Sequence, residues 1–215
     1  MRLTFHPPTA AHMTRTLTLF SFLLPLLTRA ALGGPDAYGY TWKDSNEPDG
    51  PIFNWIDITG TGTQVMGLAD DNVVGPFVMS TNMPYYWYTV KNVWIGSNGY
   101  IAFNSTNIAS PFPTIPLAGG PNDYIAALTA DLNFFGAGNV GQCWVYDAPD
   151  TTIFSWINVP FWSSVAPSWT GSNSFQIILN KVDSTITVQV LEQTGISQNN
   201  DLLIGIESVS GDIGL

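Results

Sequence analysis

The sequence predicts an all-β fold, a two-layer antiparallel β-sandwich of jelly-roll or Greek-key-like type, preceded by a cleaved signal peptide. Three observations predict it. Short runs of apolar and β-branched residues recur at roughly 8–15-residue intervals, separated by Gly, Pro, Asn and Asp. Beyond the first thirty residues, no stretch shows the apolar period of an amphipathic helix at useful length. The third is a hairpin, residues 93–103, with two alternating apolar runs about Asn98-Gly99. That dipeptide suits a type I′ turn, and Val93, Ile95, Ile101 and Phe103 are expected on one face. A lone hairpin is marginal in water, so this face must pack on a second sheet.

Taken in order, the chain begins with an apolar run, residues 17–27, preceded by Arg15 and followed by small residues around Ala30 and Ala31. Charged, hydrophobic and small-residue zones in that order are the signature of a secretory leader, assigned to residues 1–30 with Met13 as the expected start. The run is too short to span a bilayer, and no later segment is apolar enough to do so. Residues 31–215 read as one β-sandwich domain. Strands are expected at 38–42, 52–58, 63–68, 73–79 and 85–90, leading into the central hairpin. Prolines 111, 113, 116 and 121 make 104–122 the longest loop, the kind that is functional or caps a sandwich. Strands follow at 124–132, 143–146 and 152–159, then a loop at 161–173 holding Trp162 and Trp169. A second clear hairpin joins 174–180 to 184–191, and 201–208 is the last strand. The final residues, 211–215, read as the approach to a further strand, as in a domain truncated at its C-terminus or a module cut out of a longer protein.

Charge narrows the partners. Both histidines and all three arginines lie in the first thirty residues, leaving Lys43, Lys91 and Lys181 against all sixteen acids. Nucleic acid and anionic membrane surfaces are excluded as partners, since both need cations to neutralise phosphate. The one cysteine, Cys143, cannot form an internal disulfide and sits in an apolar run, where it reads as a small buried hydrophobe. The core alone must hold the fold, and a domain of this size buries about 70 % of its unfolded surface.

Five segments together resemble a β-sandwich module of large secreted bacterial proteins, among them type IX secreted adhesins and peptidases. They are Gly34-Pro35-Asp36-Ala37-Tyr38-Gly39-Tyr40 with Trp42, Asp44 and Ser45; residues 93–103; Phe154-Ser155-Trp156-Ile157-Asn158-Val159-Pro160; Phe175-Gln176-Ile177-Ile178-Leu179; and Ile204-Gly205-Ile206-Glu207. The Phe175–Leu179 hairpin is also similar, more remotely, to the nidogen-like extracellular domain. The resemblance implies a secreted or cell-surface, accessory or adhesive module attached to further domains, and it supplies no catalytic residues.

The chemistry agrees with that expectation. Without histidine after residue 30 there is no general base for a nucleophile and no imidazole for zinc. Glu47, Glu192 and Glu207 show no spacing that marks a glycosidase pair. The chain is therefore expected not to be an enzyme. Calcium is the one cofactor for which oxygen ligands are gathered. Asp44, Asn46, Glu47 and Asp49 share a loop, although Pro48 breaks the EF-hand spacing, and Asp70-Asp71-Asn72 is the second candidate. Tyr85, Tyr86, Trp87 and Tyr88 cannot all face inward on one strand. Tyr86 and Trp87, with Trp162 and Trp169, are thus candidate contacts for an extracellular protein or a glycan. Three functions stay open: an adhesive or protein-binding module, a carbohydrate-binding module stacking sugars on Trp87, Trp162 and Trp169, and an accessory domain of a secreted peptidase.

Overall fold

The computed structural model describes residues 1–8, 32–199 and 201–215. Among them are thirteen strands and no helix. In chain order they are β1 (Arg2–His6), β2 (Leu32–Gly33), β3 (Thr41–Asp44), β4 (Thr63–Gln64), β5 (Val73–Tyr85), β6 (Tyr88–Gly96) and β7 (Tyr100–Ala102). There follow β8 (Tyr124–Thr129), β9 (Gln142–Asp147), β10 (Thr151–Trp162), β11 (Trp169–Asn180), β12 (Ile186–Thr194) and β13 (Leu203–Glu207). They build two antiparallel sheets that do not close into a barrel: an eight-stranded one, ordered β2-β3-β1-β12-β11-β10-β9-β4, and a five-stranded one, ordered β13-β8-β7-β6-β5.

The expected jelly-roll or Greek-key order gives way to two consecutive meanders, β5 to β8 and β9 to β12. Consecutive strands pair as neighbours within each meander. β13 joins the smaller sheet beside β8, β4 joins the larger one beside β9, and β1, followed outward by β3 and β2, joins it beside β12.

The central hairpin has the expected face and a different turn. Ile95 pairs with Ile101 and Gly96 with Tyr100, leaving a three-residue loop, Ser97-Asn98-Gly99. Gly99 alone takes a positive φ there, +82°, as in a loop that ends with a left-handed glycine rather than a type I′ turn. That extra residue places Ile95 opposite Ile101, so both enter the core with Val93 while Phe103 packs against it. Asn98 is fully buried instead of solvated.

Between the sheets, Trp156 and Phe175 are fully buried and stacked 5.2 Å apart, and Phe77 meets Phe154 edge-on at 6.1 Å. Trp156 Nε1 donates to the Gly96 carbonyl at 3.2 Å, so burial leaves no polar atom of the indole unpaired. Cys143 is buried as expected. At one margin Lys181 Nζ lies 2.8 Å from Asp147 Oδ1 and 3.3 Å from Ser80 Oγ, while Ser80 N donates to Asp147 Oδ2 at 2.8 Å. These bonds tie β5 of one sheet to β9 of the other.

Three segments differ from expectation. Residues 52–58 are not a strand but a strap over the outer face of the larger sheet. Their backbone is held by side chains of a polar row running across adjacent strands: Gln176 bonds Ile56 N and O, Gln189 bonds Asn54 N and O, and Arg2 donates to Ile52 O. Gln176 is opposite Ser155 on one side and Gln189 on the other, and Gln189 is opposite Arg2. The expected loop at 161–173 is mostly strand, with a turn only at 163–168, because β10 and β11 stay paired as far as Trp162 and Trp169. Of residues 1–30, those from 9 onward, and with them the leader's apolar run and Met13, lie outside the described residues. Arg2–His6 is described and forms β1, with Leu3 and Phe5 buried in the core.

The proline-containing loop, 104–122, covers the outer face of the smaller sheet. Tyr100, Ala102, Ile108, Tyr124 and Ala126 form a second small core there, joined by Phe112, Ile115 and Leu203. Its closing bond is from Leu117 N to Glu207 Oε1, 2.7 Å.

Candidate functional site

The end of the sandwich formed by the β6–β7 turn is organised by one side chain, Asn98. Its Oδ1 accepts from Leu132 N at 3.0 Å, and its Nδ2 donates to the Ile108 carbonyl and to Asp71 Oδ1, at 3.0 and 2.8 Å. Asp71, in a left-handed conformation at φ +48°, is fixed a second time by Asn107 Nδ2 on its carbonyl at 2.7 Å. Asp70 forms a bridge to Asn133, and Asp131 follows β8 closely. These contacts bring Asp70, Asp71 and Asp131 together, with one carboxylate oxygen from each within 4.8 Å of the others.

Asp70 and Asp71 are exposed and Asp131 is half-buried. Lost hydration, then the charges of Asp71, Asp70 and Asp201, push the Asp131 carboxyl up to about 6. Lost hydration and then Asp71 raise Asp70. Crowded carboxylates of this kind are the oxygen donors that a hard divalent cation takes. Asp70 and Asp71 were visible as a pair in the sequence. Asp131 was not, since it sits at the end of an apolar strand far along the chain.

The other acidic loop is arranged differently. Asp44 is buried and accepts from Asn46 N and Nδ2, at 2.7 and 3.0 Å, which makes it the organiser of its own turn. Asp49 pairs with Lys43 Nζ at 2.7 Å, and Gly50 N donates to the Glu47 carbonyl at 2.9 Å. Asp44, Asn46, Glu47 and Asp49 thus shape and close a turn at the foot of β3. Among the described residues, the group of three acids that converges is the one at Asp131.

The aromatic candidates fall into two places. Tyr86 is buried and Trp87 is 63 % exposed, both in the turn between β5 and β6. Tyr86 lies 5.0 Å from Tyr40 and 4.8 Å from Tyr85, inside an aromatic cluster, while Trp87 rests edge-on against Tyr38 at 4.9 Å. Trp162 and Trp169 are half-buried and directly opposite each other across β10 and β11. Trp162 N donates to the Asp131 carbonyl at 2.8 Å, so this pair stands at the acidic end of the molecule. Trp87 is at the other end of β6. The structure therefore joins the Trp162–Trp169 pair to Asp131 through the backbone and leaves Tyr86 and Trp87 apart from both.

Residues 49–214 match the model of the NIDO-related, that is nidogen-related, family. The chain belongs to this family. Neither a curated protein nor a solved structure matches it. The matched residues include the Asp70, Asp71 and Asp131 cluster and Tyr86, Trp87, Trp162 and Trp169, and they exclude Asp44, Asn46 and Glu47. The first matched residue also lies beyond β1, β2 and β3, which stand at the β12 edge of the larger sheet.

Proposed function

We propose that the chain is a non-catalytic extracellular module that mediates adhesion or protein–protein contact within a larger secreted protein of the type IX kind. The observation that supports it most is the nidogen-related match across residues 49–214. The side chains fit that reading. The one histidine among the described residues, His6, lies outside the matched domain, and burial pushes the Cys143 thiol far above the range in which it would act as a nucleophile.

The exposed Trp87, with the half-buried Trp162–Trp169 pair, favours a second reading, a carbohydrate-binding module, because accessible indole faces stack on sugar rings. An accessory role beside a peptidase domain shares the non-catalytic chemistry of the first. A paired array separates them: immobilised glycans and extracellular polypeptides, probed with the intact chain and with its Trp87→Ala, Trp162→Ala and Trp169→Ala variants. Saturable binding to polypeptides supports the adhesive reading. Glycan binding lost in the tryptophan variants replaces it with the second, and turnover of any bound target overturns the non-catalytic reading altogether.

A further inference from the structure

The strand β1 lies between β12 and β3 with a complete antiparallel register on both sides. Arg2, Leu3, Thr4 and Phe5 face Gln189, Val188, Thr187 and Ile186 of β12. Leu3, Thr4, Phe5 and His6 face Asp44, Lys43, Trp42 and Thr41 of β3. Yet β1 is joined in sequence to β2 only through residues 9–31, which include the leader-like apolar run, and it lies outside the residues that match the family. A cut in the small-residue zone at Ala30–Ala31 separates β1 covalently from everything it pairs with.

We propose that the slot between β12 and β3 is an acceptor for an extended segment of a partner polypeptide, with the pattern cationic, apolar, polar, aromatic. Arg2–His6 is the occupant that shows what fits. The slot rests on reading the chain as an interaction module and gives that module a mode of contact, addition of a strand to a sheet.

Each position of the pattern has its own physical cause. Leu3 and Phe5 point inward and are 5 % and 1 % exposed, so an incoming strand must supply apolar groups at alternate positions or leave voids beside Ile186 and Val188 in the main core. Thr4 points outward, its hydroxyl 3.3 Å from that of Thr187. Arg2 also points outward, where its guanidinium donates to Ile52 O and completes the row that holds the strap over residues 52–58. A cation at that position suits a chain of formal charge −10. The flanking strands, β12 on one side and β3 on the other, supply ladder bonds that do not depend on sequence, so specificity comes from the alternate side chains.

The test uses the full chain with a site-specific protease sequence inserted after Pro8, folded first and nicked afterwards. A fluorescent octapeptide of residues 1–8 is titrated in, across urea concentrations below the unfolding transition, and read by anisotropy and by mass spectrometry of the displaced strand. The expected result is saturable one-to-one uptake, with Leu3→Ala and Phe5→Ala peptides each binding at least tenfold more weakly and the Arg2→Ala peptide several-fold more weakly. In a peptide library, retained sequences carry apolar residues at the third and fifth positions. Failure of uptake at every urea concentration, equal uptake of the alanine peptides, or filling of the slot by a second copy of the chain overturns the proposal. A polypeptide target that binds equally well with β1 in place keeps the adhesive reading and removes the slot. Uptake of the octapeptide without any target on the array keeps the slot and removes the adhesive reading.

Discussion

Glu207 is the group whose replacement tests the packing of the smaller sheet most directly. Its side chain is fully buried under the 104–122 loop. Oε1 accepts from Leu117 N at 2.7 Å, and the buried Oε2 has no hydrogen-bond partner. Lost hydration raises its carboxyl to about 7, and the Leu117 bond, which favours the charged form, offsets only part of this. The proton is therefore held more tightly in the folded state than in the unfolded one, where the value is 4.5. The stabilisation is complete below pH 4.5 and is lost as pH rises through 7. Between those limits the slope is about −1.4 kcal/mol per pH unit, which integrates to about 2.5 kcal/mol between pH 5 and pH 8. Glu207→Gln keeps an acceptor for Leu117 N and removes the ionisation. Thermal melts of both proteins from pH 5 to pH 8 should diverge, the wild type losing about 5–10 °C more than the variant across that range. Asp131 titrates in the same direction in both proteins, so it cancels in the comparison. Parallel melting curves, or a variant that loses as much as the wild type, would refute the assignment of a buried carboxylate held near neutrality.

Three other outcomes are expected. Calcium should raise the melting temperature of the wild type at pH 7.5, and Asp131→Asn should abolish that rise while leaving the ion-free protein at least as stable, because one of three crowded charges is gone; an unchanged midpoint on adding calcium and then chelator removes the cation site. Lys181→Met leaves Asp147 without its cation at a position where the lysine side chain is only 1 % exposed, and should cost about 3 kcal/mol in urea unfolding, with much of it recovered in the double variant that adds Asp147→Asn. Gly99→Ala asks a β-carbon to sit 2.6 Å from the Leu128 carbonyl oxygen at φ +82°, and should cost at least about 2 kcal/mol with loss of the Asn98 contacts, seen as a lowered melting temperature and faster exchange of the Leu132 amide.

Much of the architecture was legible because local signals and burial agree. Alternation in residues 93–103, 174–180 and 184–191 marks strands whose apolar sides face the other layer, and four prolines keep 104–122 out of both sheets. What was not legible is wherever a side chain takes over the role of backbone pairing. Residues 52–58 have the composition of a strand, but their backbone groups are met by Gln176, Gln189 and Arg2, each remote in sequence. Asn98-Gly99 has the composition of a two-residue turn, but Asn98 is worth more as a buried bridge to Asp71, Ile108 and Leu132 than as a solvated corner, and the loop takes a third residue. Tyr86 reads as a surface aromatic, and only the fold shows it enclosed by Tyr38, Tyr40 and Tyr85.

The same distinction bears on the acidic end of the molecule. An isolated Asp70-Asp71 pair in a turn has water as its natural partner, and nothing in its spacing asks for more. Asn98 changes this by fixing Asp71 from beneath and Leu132 from the side, so that the residue preceding Leu132, Asp131, has no free choice of position. A buried amide thus holds Asp71 and, through Leu132, Asp131 in place, and the cost is an Asp131 carboxyl raised by lost hydration and then by the charges of Asp71, Asp70 and Asp201. If the cost served nothing, Asp131→Asn would be a plain gain in stability at neutral pH with calcium present or absent. If it serves cation capture, that gain is confined to the ion-free protein and reverses when calcium is added. The sign of one melting-temperature difference, measured twice, decides between them.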